Sequence, residues 1–134
     1  MNSIKSITIV GQGYVGLPLA IAFSNFFPVY GFDIDSERVK ELNNAKDFTC
    51  EIDEKDLSNA IALAKSTKFS KGYVATTNID DISHSNVYIV TVPTPIDEFN
   101  APNLKPLFKA SEMIGEILEK GDIVIYESTR SEEH

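Results

Sequence analysis

The sequence predicts an α/β fold in which a doubly wound, mainly parallel sheet carries helices on both faces. Two observations support this. Five short runs rich in β-branched or aromatic residues alternate with segments of helical spacing, which implies parallel pairing through right-handed crossovers. The first of these runs also ends abruptly in a glycine-rich turn that opens a helix. No internal repeat, low-complexity tract or linker interrupts the pattern, so residues 1–134 read as one domain.

In order along the chain, Ile4 to Val10 reads as a buried strand closed by Gly11. Tyr14 to Phe27 is small and apolar on most sides, as suits a helix pressed against a sheet, and Pro18 falls early enough to be tolerated. Val29 to Asp33 is the second strand. Asp35 or Ser36 then caps a helix through Leu42, and Glu37 places negative charge in its first turn. Asn43 to Thr49 is polar loop. Asp53 caps a helix to Lys65, with Leu57, Ala60, Ile61 and Ala64 at helical spacing. Phe69 to Thr77 reads as a strand broken near Lys71-Gly72, and Asp80 to Ser85 as one helical turn. Val87 to Val92 is a buried strand, and Ile96 to Asn103 a loop. Leu104 to Glu119 is helical, with Pro106 in its first turn and Gly121 beyond its end. Ile123 to Tyr126 is the last strand, so the sheet is expected to be truncated before a sixth.

Charge and composition narrow the function. Hydrophobic residues make up 43% and charged residues 24%, the balance of a soluble globular protein. Twelve basic against 20 acidic residues give a net charge of -8, which argues against a nucleic-acid surface. It does not argue against a phosphate-bearing cofactor, because helix N-terminal amides hold phosphate without basic side chains. The longest apolar runs are far too short for membrane insertion, and a strand at the N-terminus leaves no room for a signal peptide. The lone Cys50 excludes an internal disulfide and fits a reducing compartment. A cytoplasmic location is expected, with no metal site.

Gly11-Gln12-Gly13-Tyr14-Val15-Gly16 matches G-x-G-x-x-G. The motif alone is weak, but here it follows a strand and opens a helix in the first βαβ unit. Gly11 allows the tight turn, Gly13 lets a pyrophosphate approach the backbone, and Gly16 lets helix and strand pack closely. Asp33 ends the second strand 22 residues after Gly11, where a carboxylate holds the adenosine ribose hydroxyls. It would repel a 2′-phosphate, so NAD is favoured over NADP. Arg38 pulls the other way, since an arginine near that strand end can accommodate a 2′-phosphate. Asp35 is a second candidate for the ribose and also a candidate helix cap. Together these features define a Rossmann dinucleotide-binding domain.

Val92-Pro93-Thr94-Pro95 ends the fourth strand beside the expected switch point of the sheet, where ligands of open α/β sheets sit. Four segments then resemble the UDP-glucose/GDP-mannose dehydrogenase family: Gly-Gln-Gly-Tyr-Val-Gly-Leu-Pro-Leu-Ala (11–20), Gly-Phe-Asp-Ile-Asp (31–35), Val-Pro-Thr-Pro-Ile-Asp (92–97) and Gly-Asp-Ile-Val-Ile-Tyr-Glu-Ser-Thr (121–129). The Pro-Ile-Asp and Tyr-Glu-Ser-Thr portions look most like bacterial enzymes that oxidise UDP-N-acetylhexosamines for capsule or surface polysaccharide. UDP-glucose dehydrogenases more often carry lysine at the position of Glu127.

The resemblance implies that Asp33 and Arg38 hold the ribose region, that Tyr14 and Val15 line the phosphates, and that Thr94 and Thr129 approach the nicotinamide half. The cofactor residues are thus expected to be Gly11, Gln12, Gly13, Tyr14, Val15, Gly16, Asp33, Arg38, Pro93, Thr94 and Thr129, with Thr129 also in a supporting catalytic role. It further implies two successive NAD-dependent oxidations of a sugar C6 alcohol to a carboxylate, through a cysteine nucleophile. In the family that cysteine lies in a glycine-rich motif downstream of the matched region, so the role is not carried to Cys50. His84 and His134 match no catalytic position. The chain is therefore expected to bind NAD without turning over a UDP-sugar. The alternative is a stand-alone dinucleotide-binding or interaction module. An unpaired edge at Ile123 to Tyr126 predicts self-association into a homo-oligomer.

Overall fold

The structure, a computed structural model, describes residues 3–93, 95–96 and 98–127. Its elements run β1 (Ile7–Val10), α1 (Gly16–Ser24), β2 (Pro28–Phe32), α2 (Ser36–Asn43), α3 (Glu54–Ser66), β3 (Gly72–Thr76), α4 (Ile79–Ile82), β4 (Val87–Val90), α5 (Lys105–Ile117) and β5 (Ile123–Tyr126). The five strands form one sheet in the order β3-β2-β1-β4-β5, and all four pairings are parallel. The chain winds outward from β1 to β3, crosses back over β1 and continues through β4 to β5. The order therefore reverses between β1 and β4, as expected of a doubly wound fold.

Alternation along β1 sends Ile7 and Ile9 to one face and Val10 to the other. The first face buries Leu17, Ala20 and Ile21 of α1, Val39 and Leu42 of α2, and Leu57 and Ala60 of α3 against Val29, Tyr73 and Ile89. The second collects Phe32, Tyr88 and Val90 with Ile82 of α4 and Ala110 and Ile114 of α5. Full burial of each large side chain is worth about 1.5–3 kcal/mol, so the larger first cluster is the main source of stability. Thr8 lies within the sheet and is satisfied by a 2.7 Å hydrogen bond between its hydroxyl and that of Ser85, which also meets the Ser6 hydroxyl at 2.8 Å.

Several element ends differ from the sequence-based reading. Strand β1 starts at Ile7 rather than Ile4. Helix α1 starts at Gly16 rather than Tyr14 because residues 11–15 are drawn into the glycine turn, and it stops at Ser24 rather than Phe27. Pro28 opens β2, and the residue before a proline is disfavoured in helix. Strand β3 starts at Gly72, not Phe69. Lys68 and Phe69 take positive φ of 54° and 60° as the chain leaves α3, and the Phe69 amide closes that turn on the Ala64 carbonyl at 2.7 Å. The Phe69 ring packs edge-on against Tyr30 at 4.9 Å. Strand β4 ends at Val90, two residues early, although the Thr91 amide still donates to the Val10 carbonyl at 2.8 Å. Among the described residues no helix is long and apolar enough to cross a membrane.

Candidate functional site

The carboxyl ends of β1, β2 and β4 converge on the glycine turn. Gly11 has φ +99°, a conformation that L side chains rarely adopt, and its amide donates to the Phe32 carbonyl at 2.8 Å. Gly16 is fixed by proximity instead: a Cβ there would collide with the Gly11 carbonyl oxygen and the Thr91 hydroxyl. Thr91 ties the turn from the other side, its Oγ1 lying 3.0 Å from the Val10 oxygen and 2.8 Å from the Gly11 oxygen.

Gln12 is the hinge pin of this turn and is 1% exposed. Its amide N–H donates to Asp33 Oδ2 at 2.9 Å, and its side-chain Nε2 donates to the carbonyls of Ile9 and Gly11 at 3.0 and 3.1 Å. Its Oε1 accepts from the Tyr73 hydroxyl at 2.6 Å. This last bond crosses β2 at Gly31, where a Cβ would strike both Gln12 Oε1 and the Tyr73 hydroxyl. Burial pushes the Tyr73 hydroxyl well above its ordinary range, so it remains a neutral donor.

Asp33 leaves β2 half-buried, with Oδ2 held by Gln12 and Oδ1 by the Asp35 amide at 3.0 Å. Each oxygen keeps acceptor capacity for a ribose hydroxyl. Asp35 itself serves as the N-cap of α2, with Oδ1 accepting from the amides of Glu37 at 3.0 Å and Arg38 at 3.3 Å. Beside Asp33 opens a cleft of about 400 Å³, walled by Val10, Phe32, Ile34, Val92 and Pro93 and closed by Ala110 and Met113 of α5. That volume lies in the range of small-molecule pockets, and the lining suits a flat, mostly apolar ring. A larger groove of about 530 Å³ between α1 and α3 includes neither the glycine turn nor Asp33.

These residues fit a dinucleotide. Nothing lies within 4 Å of the place a Cβ would occupy at Gly13, leaving the backbone open to a phosphate. Tyr14 is exposed and Val15 half-exposed. Val15 stands at the N-cap of α1 with no side-chain hydrogen bond; the Leu17 amide goes to the Gly13 carbonyl at 3.0 Å and Pro18 has no N–H, so Gly16 is the first-turn amide left to meet an anion. Asp33 and Gly11 both border the ring cleft.

Arg38 is 9% exposed. Its guanidinium turns inward, with Nε and Nη2 on the Gln12 carbonyl at 2.9 and 2.8 Å, and Nη1 on Glu41 at 3.0 Å and Asp47 at 2.8 Å. A group so committed is poorly placed to receive a 2′-phosphate. Thr94 and Thr129 lie outside the described residues. Cys50 is exposed at φ 57° in the loop between α2 and α3.

Sequence reading missed Thr91, Tyr73, Gly31 and Asp47. A glycine inside a strand pattern signals close backbone approach, so Gly31 carried a usable clue. Asp47 is 2% exposed within a segment read as plain polar loop. Burial alone would raise its carboxyl, but the Arg38 guanidinium, the Thr49 hydroxyl and the Ile52 amide outweigh this and hold it below the ordinary carboxylate range.

Comparison with known proteins agrees with this geometry. The NAD binding domain of the UDP-glucose/GDP-mannose dehydrogenase family matches residues 5–132. The chain is 50% identical over 129 residues to the UDP-N-acetyl-D-glucosamine 6-dehydrogenase of Pseudomonas aeruginosa, covering 96% of this chain and 28% of that protein. It is 43% identical over 125 residues to Protein CapL of Staphylococcus aureus, covering 93% and 27%. Among solved structures, the UDP-D-ManNAc dehydrogenase of Pyrococcus horikoshii superposes with a TM-score of 0.80 at 32% identity, over 92% of this chain and 28% of that one. The chain thus spans less than a third of the length of these relatives. By this match and by its glycine turn, carboxylate and cleft, the chain belongs to the UDP-glucose/GDP-mannose dehydrogenase family as an NAD binding domain.

Proposed function

We propose that residues 1–134 form the NAD-binding domain of a cytoplasmic nucleotide-sugar 6-dehydrogenase that oxidises the C6 alcohol of a UDP-N-acetylhexosamine to a carboxylate for surface polysaccharide. Bound NAD supplies the hydride acceptor. The chain's own residues bind and orient it: Asp33 receives the adenosine ribose hydroxyls, the cleft at Phe32 and Pro93 takes the adenine, and the amides at Gly13 to Gly16 face the pyrophosphate. Thr94 and Thr129 are assigned to the nicotinamide half, with Thr129 supporting the reacting end. The working assembly is a homo-oligomer.

The observation that carries this reading is the Asp33 carboxylate, held by the Gln12 amide beside an apolar cleft and a helix start without a side-chain cap. The substrate class is supported by the 50% identity to a UDP-N-acetyl-D-glucosamine 6-dehydrogenase.

Titration calorimetry with NAD, NADP and UDP-N-acetylglucosamine tests it. NAD should bind, NADP should bind far more weakly, and the UDP-sugar should bind marginally. Replacing Asp33 with Ala should weaken NAD about 10- to 100-fold, the cost of losing charge-assisted hydrogen bonds. Unchanged affinity in Asp33→Ala, or equal affinity for NADP, would overturn the ribose assignment.

A further inference from the structure

Asp47 lies on the loop between α2 and α3, far in sequence from the glycine turn, and its side chain is fully covered. Its two oxygens accept five hydrogen bonds. Oδ1 takes Arg38 Nη1 at 2.8 Å, Thr49 Oγ1 at 2.8 Å and the Thr49 amide at 3.3 Å. Oδ2 takes the amides of Glu51 at 2.6 Å and Ile52 at 2.8 Å. Glu54 anchors the same residue from α3 by accepting its amide at 2.9 Å. The carboxylate is therefore a fixed post, and Arg38 is braced against it.

What Arg38 holds with its other two nitrogens is the Gln12 carbonyl. That carbonyl and the Gly13 N–H belong to one planar trans peptide unit, so they point in opposite directions. Drawing the oxygen inward onto the guanidinium aims the Gly13 N–H the opposite way, and the place a Cβ would take at the same residue is open. The Gln12 N–H, which belongs to the preceding peptide unit, is fixed separately by Asp33, so the peptides on both sides of the Gln12 Cα are held.

We propose that Asp47 is a positioning residue for the cofactor's pyrophosphate: through Arg38 it sets the Gln12–Gly13 peptide so that its N–H faces the phosphate. Asp47 touches no part of the cofactor. This rests on the NAD-binding reading above and assigns to the α2–α3 loop a part in it. It also recasts Arg38, whose contribution to binding is made from beneath the glycine turn.

The test compares ligands that do and do not reach the turn. On the 134-residue chain, binding of NAD and ADP-ribose is measured by calorimetry and binding of adenosine by NMR titration. The proteins are wild type, Asp47→Asn, Arg38→Lys and the double variant, each held well below its unfolding midpoint. Asp47→Asn should weaken NAD and ADP-ribose about tenfold, the size of one charge-assisted hydrogen bond, and leave adenosine within about twofold. Arg38→Lys keeps the charge but loses the two-nitrogen grip. It should give a similar loss, and the double variant should be little worse than either single because both act through one path. If Asp47→Asn does not fold, Arg38→Lys carries the comparison alone. Equal weakening of adenosine and ADP-ribose, or wild-type affinity for both, overturns the proposal. A wild-type chain that takes up no NAD overturns the functional reading itself, a separable result.

Discussion

The two flanks of β1 are built differently. On the β2–β3 side, side chains from α1, α2 and α3 close a large core, and buried polar contacts run from Tyr73 through Gln12 and Arg38 to Asp47. On the β4–β5 side, β4 is buried but β5 leaves Ile123, Ile125 and Tyr126 between 43% and 55% exposed. Among the described residues β5 pairs only with β4. The difference teaches that the glycine-turn site draws most of its polar bracing from the β2–β3 side, while Val92, Pro93, Ala110 and Met113 from later in the chain close the cleft beside it. Its polar groups are oriented by protein contacts before any ligand arrives, so little reorganisation opposes binding.

The largest break in this contrast should come from Gly16→Val, which drives side-chain carbons into the Gly11 carbonyl and the Thr91 hydroxyl where β1, α1 and β4 meet. Overpacking of this kind costs about 1–3 kcal/mol or more, so NAD affinity by calorimetry should fall by roughly 100-fold, with a lowered melting temperature. Retained affinity would mean that the turn is not rigid.

Tyr73→Phe probes the same flank more gently. It leaves the buried Gln12 Oε1 without its donor, and chemical denaturation should show a stability loss of about 1–3 kcal/mol. The turn's remaining ties are intact, so NAD affinity should fall less than in Gly16→Val. The smallest effect belongs to the other flank. Ile125→Lys should change stability by no more than about 0.5 kcal/mol, since that side chain is already half in water. Sedimentation at high concentration should nevertheless show weaker self-association than wild type, because a charge on an open edge opposes strand pairing. A wild-type chain that stays strictly monomeric would remove the edge as an association site.

What could be read from sequence was whatever is local. Strand β4 and helix α5 declare themselves by periodicity, and the glycine turn by punctuation between a strand and a helix. Asp33 follows from its distance along one βαβ unit. Contacts that join distant segments were not legible. The Tyr73–Gln12 bond spans 61 residues and the Thr91–Gly11 bond 80, and neither leaves a pattern in its own neighbourhood. Arg38 shows the limit most clearly. Its position near the end of β2 suggested a ligand contact, whereas three-dimensional proximity to the Gln12 carbonyl and the Asp47 carboxylate gives it a partner inside the protein. Element ends shifted for a similar reason: the pull of the turn on residues 11–15 outcompetes the helical preference of Tyr14 and Val15.

The missing side chain at Gly31 also constrains how this sequence can change over time. Because the Gln12 side-chain carboxamide and the Tyr73 hydroxyl meet across the bare backbone of β2, a change at position 12, 31 or 73 should constrain the other two. A lineage that gains alanine at 31 must also give up the glutamine or the tyrosine hydroxyl, and once either is lost the glycine is no longer required. Across related chains the three positions should therefore vary together, with glycine at 31 wherever the other two polar groups persist.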